Sequence, residues 1–165
     1  MSDQPERTRT FSWQDPMVGA QAALTMSGLE YLQAMGRGDI PIPPIMAMLN
    51  IDEMQAEAGN VTFSVVPAEY HYNPIGVVHG GLAATLCDSA MACAVHSMLS
   101  AGVAYTTLEL KINYVRPITA STGRVACTGT VIHSGSRVAT AEARLVDAAG
   151  KLYAHATTTC LILKG

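Results

Sequence analysis

The sequence predicts an α+β fold in which an antiparallel sheet wraps around one long helix. Three observations indicate this fold. One long stretch, residues 82–99, is apolar and rich in alanine. Two segments before it and four after it alternate apolar and polar residues, as half-buried strands do. At 165 residues the chain has the length of one domain with one hydrophobic core.

The N-terminal part predicts a tail, a helix and a linker over residues 1–42, ahead of a main domain at 43–165. The first ten residues are polar and predict a frayed tail. Residues 15–36 predict one helix, because Asp15 suits its N-cap, Pro16 its first turn and Gly36 its end. The prolines of residues 36–44 predict an extended linker.

The six strand segments are separated by turn residues. Residues 48–59 and 60–70 predict a hairpin around Gly59 and Asn60. The remaining four segments are rich in Val, Thr, Ile, Leu and Tyr, and they cover residues 105–118, 123–135, 137–150 and 152–165. Between the two groups, "HGG" at residues 79–81 precedes the alanine-rich helix, which we expect to end near residues 100–102.

Composition excludes several classes of function. The net charge of −3 and the absence of a basic run argue against nucleic acid. Asp88, Ser89 and His96 argue against a membrane span at 82–99. The N-terminus lacks the apolar core of a secretory signal, so we expect a cytoplasmic protein. The four cysteines and five histidines lack metal-site spacing, so we expect reduced core thiols and no metal.

Asp88 is the unusual residue of the long helix. Its neighbours three and four positions away are small or apolar, and they are Ala84, Thr85, Met91 and Ala92. A carboxylate buried among them loses several kcal/mol of hydration unless it finds a hydrogen-bond donor or a proton. Asp88 is therefore either a structural residue bonded across an interface or a functional one.

The "HGG" segment supports a functional interpretation of Asp88. Unpaired N–H groups at a helix N-terminus stabilise negative charge, and glycines let a carbonyl oxygen approach the backbone. The structural alternative for Gly80 and Gly81 is a tight loop entry. Eight residues of helix separate Gly80 from Asp88 by about 12 Å. If the two act together, they come from different subunits of a dimer.

Residues 73–90 ("NPIGVVHGGLAATLCDSA"), 105–118 ("YTTLELKINYVRPI") and 135–163 closely resemble the hotdog-fold acyl-CoA thioesterases of the phenylacetate-degradation (PaaI-like) type. The similarity extends over roughly residues 43–165. It implies a five- or six-stranded antiparallel sheet around the helix, and dimers that join their sheets edge to edge, often paired into tetramers. It also implies hydrolysis of acyl-CoA at the dimer interface without a cofactor.

The resemblance also implies residue roles. Asp88 would be the nucleophile or general base, and Gly80 the backbone oxyanion donor. Asn73 would be a polar partner near the water or thioester, and Thr106 a hydroxyl that orients water, with Thr107 adjacent.

Three further residues are candidates for catalysis or substrate binding because of where they lie in the sequence. His79 either donates to the thioester or orients the loop, beside Gly81. Arg116 and Arg137 lie at strand ends, where a CoA phosphate could dock or where they are solvated surface cations. Whether Asp88 attacks directly or deprotonates water stays open, as does the acyl group.

Two alternatives remain at this point. A hotdog enoyl-CoA hydratase or dehydratase would need a histidine and a carboxylate converging on the substrate. A non-catalytic dimer would bind acyl-CoA without turnover.

Overall fold

A computed structural model describes residues 5–163 of the chain. Within them, six antiparallel strands form one sheet in the order β1-β2-β4-β5-β6-β3. The strands are β1 (Ile51–Glu57), β2 (Asn60–Val65), β3 (Ala104–Tyr114), β4 (Val125–Ser134), β5 (Val138–Asp147) and β6 (Leu152–Leu163). One long helix, α4 (Gly80–His96), packs across the sheet. The predicted α+β hotdog architecture is confirmed.

The sheet approaches α4 closely because small residues face each other. On β4, a Cβ atom added to Gly129 would lie 2.3 Å from the carbonyl oxygen of Ala90. Sheet backbone and helix backbone are therefore in direct contact at this point, as the alanine content of the helix predicted. The largest fully buried side chains around this contact include Leu86, Met91 and Leu145.

The N-terminal segment differs from the single predicted helix. It forms α1 (Pro16–Ala22), α2 (Gly28–Arg37) and α3 (Pro44–Leu49). The break before α2 has a local cause, because Ser27 and Glu30 form a capping box that starts a new helix. Asp15 caps α1 as predicted, through a 2.9 Å hydrogen bond from the Met17 N–H.

The tail is docked rather than frayed from residue 7 onward. Arg7 forms a 2.7 Å ion pair with Glu69. The guanidinium of Arg9 donates to the carbonyl of Ala47 at 2.8 Å and lies 4.2 Å from the ring centre of Tyr70. The prediction of fraying is wrong for these residues, because arginine side chains tie them to the domain. Residues 1–4 of the predicted tail lie outside the described residues.

The predicted hairpin and the four later strands are confirmed. The long helix ends at His96, a few residues earlier than predicted. There, Ser97 donates its hydroxyl hydrogen to the Ala94 carbonyl and accepts a hydrogen bond from the Gly59 N–H. The Ser97 hydroxyl therefore links the C-terminal end of α4 to the β1–β2 turn through two hydrogen bonds.

β3 is one edge of the sheet, and it pairs only with β6 in the described chain. One side of its eleven-residue backbone therefore has no strand partner. Leu108 and Tyr114 on this strand are each more than half exposed. A long uncovered edge of this kind is suited to pairing with another strand.

Candidate active site

Asp88 lies in the middle of α4 and is half-buried. Its carboxylate accepts a hydrogen bond from the Thr107 hydroxyl, with Oγ1 and Oδ1 2.9 Å apart. Thr107 belongs to β3, so the carboxylate lies beside the uncovered edge of the sheet. The sequence left open what donor a buried Asp88 would find, and this contact answers that question.

The resemblance implies a hydroxyl role for Thr106, but in the structure the hydroxyl that reaches Asp88 is that of Thr107. Successive side chains of a strand point to opposite faces. Thr106 is accordingly exposed, whereas Thr107 is half-buried. The role of Thr106 in orienting water stays a prediction.

The N-terminus of α4 presents one free amide. His79 is the N-cap residue, and its Nδ1 accepts a hydrogen bond from the Gly81 N–H at 2.8 Å. The Leu82 N–H is bonded to the His79 carbonyl. Among the residues that the structure describes, no acceptor is bonded to the Gly80 N–H. Gly80 is thus the amide at this helix end that remains available to a ligand oxygen, while His79 has the loop-orienting role that the sequence offered as one of two.

Asn73 shapes the loop before α4. Its side-chain oxygen accepts hydrogen bonds from the backbone N–H groups of Ile75 and Val77, at 3.0 and 3.3 Å. Its backbone N–H donates to the Val77 carbonyl. The side-chain amide group of Asn73 keeps its two hydrogens for another partner.

A cleft of about 270 Å³ opens beside Gly80. Its walls come from the α4 N-terminus and from the end of β3 with the segment that follows, and they include His79, Gly80, Tyr114, Arg116 and Tyr153. The guanidinium of Arg116 donates to the Leu152 carbonyl, which fixes the side chain at the cleft wall. Gly80 and Arg116, which the sequence singled out separately, therefore share one cleft. Tyr114 was missed, because an aromatic residue at the end of a strand carries no signal of its own.

Arg137 lies elsewhere. Arg137 precedes the start of β5, where Val138 pairs with Leu161, whereas Arg116 contacts β6 at Leu152. Nine residues of strand span about 30 Å. One chain therefore cannot bring both arginines to one phosphate.

Two partly buried side chains near Asp88, those of Cys93 and Tyr105, stay uncharged at neutral pH. Burial raises the pKa of the Cys93 thiol to about 12, and the negative charge of Asp88 adds to this effect. The pKa of the Tyr105 phenol is raised by burial first and by nearby groups, including Asp88. Both groups stay protonated at neutral pH. All four cysteines are free of disulfides, as predicted.

Two further properties of residues 5–163 concern metal sites and membrane-spanning helices. No three His, Cys, Asp or Glu side chains of this range are placed to share a metal ion. None of the helices in the same range is long and apolar enough to cross a bilayer.

Comparison with known proteins identifies the family. A family model described as the thioesterase superfamily matches residues 75–154. A proposed esterase of Saccharolobus solfataricus is 30% identical over 120 residues, which cover 73% of this chain and 84% of that protein. The chain belongs to the thioesterase superfamily.

A second relative matches more closely over a shorter range. A proposed esterase of Halobacterium salinarum is 39% identical to this protein over 84 residues, which are 50% of the present chain. The match spans 54%, or about half, of the length of that protein.

Solved structures agree with this assignment. A proposed thioesterase of Ralstonia eutropha, related to phenylacetic acid degradation, is 30% identical with a TM-score of 0.71, covering 79% of this chain and 98% of that one. A Streptococcus mutans protein solved with bound acetyl-CoA is 25% identical with a TM-score of 0.60, covering 67% of this chain and 86% of that one. Both structures share the fold of this chain.

Proposed function

We propose that the protein hydrolyses acyl-CoA thioesters to a free acid and CoA at sites shared between two protomers. The observation that carries this proposal is the position of Asp88. Its carboxylate is held by Thr107 at the uncovered edge of the sheet. The free Gly80 amide lies about 12 Å away along the same helix, too far to act on the same carbonyl within one chain.

Pairing of two β3 edges would resolve this separation. Thr107 lies near one end of β3 and Tyr114, which contacts the Gly80 region, forms the other end. Two antiparallel β3 strands related by a two-fold axis at Leu110 would bring Thr107 of one protomer opposite the partner's Asn113, next to the partner's Tyr114. Each Asp88 then faces the partner's Gly80, and the dimer contains two equivalent sites. Two such dimers can associate further through their outer sheet faces.

The chemistry needs no cofactor. In the reaction, a water oxygen becomes bonded to the acyl carbon, the carbon–sulfur bond breaks, and CoA leaves as the thiol with one proton from water. Asp88 serves either as the base that takes the water proton or as a nucleophile that forms an anhydride, which water then hydrolyses. The partner's Gly80 N–H stabilises the negative charge on the carbonyl oxygen, a contribution of typically about 100-fold or more in kcat.

Substrate recognition follows from the cleft. Arg116 at the wall of the Gly80 cleft is placed to meet a CoA phosphate, since guanidinium groups match phosphate geometry. Binding of acetyl-CoA by the Streptococcus mutans relative supports a CoA thioester as the ligand. In His79, Nδ1 already accepts the Gly81 N–H, so a hydratase reaction would depend on Nε2 alone.

The test combines thiol release with oligomer size. We expect the wild-type protein to release free thiol from acyl-CoA, and Asp88→Asn to reduce this by about 100-fold or more while the dimer persists in analytical ultracentrifugation. Asp39→Asn, a change at an exposed carboxylate of the N-terminal segment, is the matched control. Full activity of Asp88→Asn, or full activity of a monomer, would contradict the proposal. Loss of enoyl-CoA absorbance without thiol release would instead indicate a hydratase.

A further inference from the structure

A second cavity lies on the Asp88 side of α4, away from the Gly80 cleft. It has a volume of about 300 Å³, lies between the N-terminal helices, α4 and β3, and opens to solvent on one side. Helices α2 and α3 contribute Tyr31, Met35 and Met46, and the domain contributes Phe63, His96 and Tyr105. We call it the N-terminal cavity. The residues from α2 and α3 precede the part of the chain that matches the family model.

The cavity adjoins the proposed reaction site. Ser89, the residue after Asp88, lines it from α4. Tyr105 lines it from β3, two residues before Thr107 and on the same face of the strand, a spacing of about 7 Å. The Thr107 hydroxyl in turn donates to the Asp88 carboxylate. The cavity and the proposed reaction site are therefore neighbours on both α4 and β3.

The lining determines what the cavity accepts. Most of its surface is apolar, and no Asp, Glu, Lys or Arg belongs to it. Burial lowers the pKa of His96, so its imidazole is neutral at pH 7. A charged group would lose its hydration here without gaining a partner. Since one water-sized group fills about 30 Å³, the cavity has room for about ten non-hydrogen atoms.

The docking of α2 against α4 forms one wall of the cavity. The Gly28 N–H donates to the Leu99 carbonyl at 3.0 Å, and a Cβ on Gly28 would lie 1.8 Å from the His96 carbonyl oxygen. Tyr31, one turn later, has its ring centre 5.6 Å from that of His96, which is 5.0 Å from that of Tyr105. The aromatic row fixes one wall of the cavity.

We propose that the N-terminal cavity binds the acyl group of the thioester, and that helices α2 and α3 set its upper size limit. The substrate class is an uncharged, apolar acyl group of up to about ten non-hydrogen atoms, either aliphatic or aromatic. This inference rests on the proposed function for the identity of the ligand. It adds that selectivity for the acyl group resides in a segment outside the matched family region.

The test compares acyl-CoA substrates in variants that fill the cavity. We expect the wild type to hydrolyse octanoyl-CoA or benzoyl-CoA with a kcat/KM about tenfold or more above that for acetyl-CoA or succinyl-CoA. The octanoyl and benzoyl arms distinguish aliphatic from aromatic acyl groups. Met46→Trp should lower the octanoyl-to-acetyl ratio of kcat/KM by about tenfold or more. Met48→Trp, two residues away on the exposed side of α3, should leave the ratio within about twofold.

A second variant covers the case in which Met46→Trp fails to fold. Ile45 lines the cavity but is 43% exposed, so Ile45→Trp narrows the cavity with less strain on the core. An unchanged ratio in the folded variants, or an equal loss for both substrates, would overturn the inference.

Binding of an octanoyl-CoA thioether, which cannot be hydrolysed, separates this inference from the proposed function. If no thioester is hydrolysed but Met46→Trp weakens thioether binding relative to CoA alone, the proposed function fails and the cavity assignment stands. If the thioether binds equally well to both proteins, the cavity assignment fails.

Discussion

The hydroxyl of Thr107 on the edge strand donates a 2.9 Å hydrogen bond to Asp88 on the central helix. Within the described residues this is the hydrogen bond that holds the carboxylate. It leaves the second carboxylate oxygen free for a reacting atom. The contact also ties the orientation of Asp88 to the position of β3, and so to whatever strand pairs with β3.

Replacing Thr107 with valine keeps the shape of the side chain and removes the donor. A hydrogen bond to a charged group is worth about 1.5–3 kcal/mol, so we expect kcat to fall by about tenfold to 100-fold. Thr107→Ser, which keeps the hydroxyl, should retain most of the activity. Thr157→Val on the exposed face of β6 serves as the control. Equal activity of the Val and Ser variants would show that the hydrogen bond does not position Asp88.

Gly80→Ala tests the oxyanion donor by steric means. The added Cβ would lie 3.1 Å from two ring carbons of Tyr114, so the helix N-terminus or the tyrosine must shift. We expect kcat to fall by about tenfold or more, measured by thiol release. Because Tyr114→Ala removes the obstruction, the double variant should recover part of the loss relative to Tyr114→Ala alone. No recovery would mean that the methyl group acts directly on the substrate rather than through Tyr114.

Gly28→Ala tests the close packing of α2 against the C-terminal end of α4. A side chain at this position collides with the His96 backbone, so we expect a loss of about 1–3 kcal/mol or more in the free energy of unfolding. Gly36→Ala in the same helix meets no atom closer than 3.4 Å and gains helix propensity, so it should be neutral or stabilising by up to about 1 kcal/mol. Urea denaturation measures both. Similar stability of the two variants would contradict the packing described for α2.

His71 gives the stability a dependence on pH. Its Nδ1 accepts the Ala68 N–H and its Nε2 donates to the Leu49 carbonyl, so the ring is held neutral. Burial lowers the pKa of His71 in the folded state. The unfolded state therefore binds more protons, and the stabilisation is complete above about pH 6.5 and is lost as the pH falls toward the folded-state value.

We expect the free energy of unfolding to decrease between pH 7 and pH 5, and His71→Gln to flatten part of this decrease. His155→Gln on the exposed face of β6 should leave the slope unchanged. Equal slopes for the wild type and His71→Gln would argue against the buried neutral imidazole.

The sequence predicted the parts of the fold that depend on local pattern. The turn at Gly59 and Asn60 and the four later strands follow from side-chain alternation and turn residues, and all are present. The break before α2 was also readable, as the Ser27–Glu30 capping box, but the helical spacing on both sides concealed it.

The site was harder to predict where neighbouring residues compete for one role. Thr106 and Thr107 differ only in which face of β3 they occupy, and the register of β3 against β6 shifts between Thr107 and Glu109. The position of such a register shift cannot be read from the amino-acid sequence. The N-terminal cavity could not be predicted either, because it depends on contacts between α2 and α4, which are far apart in the chain.

The contact at Gly28 has an evolutionary consequence. The backbone of Gly28 contacts the backbone of His96. This contact requires that residue 28 has no side chain, and it does not depend on a complementary pair of side chains. The buried Leu32, Met35 and Met46 add to the attachment, whereas partly exposed side chains such as Ile45 can change without loosening it. New acyl preferences could arise by mutation in residues 16–49 while the reacting groups on α4 and β3 stay unchanged.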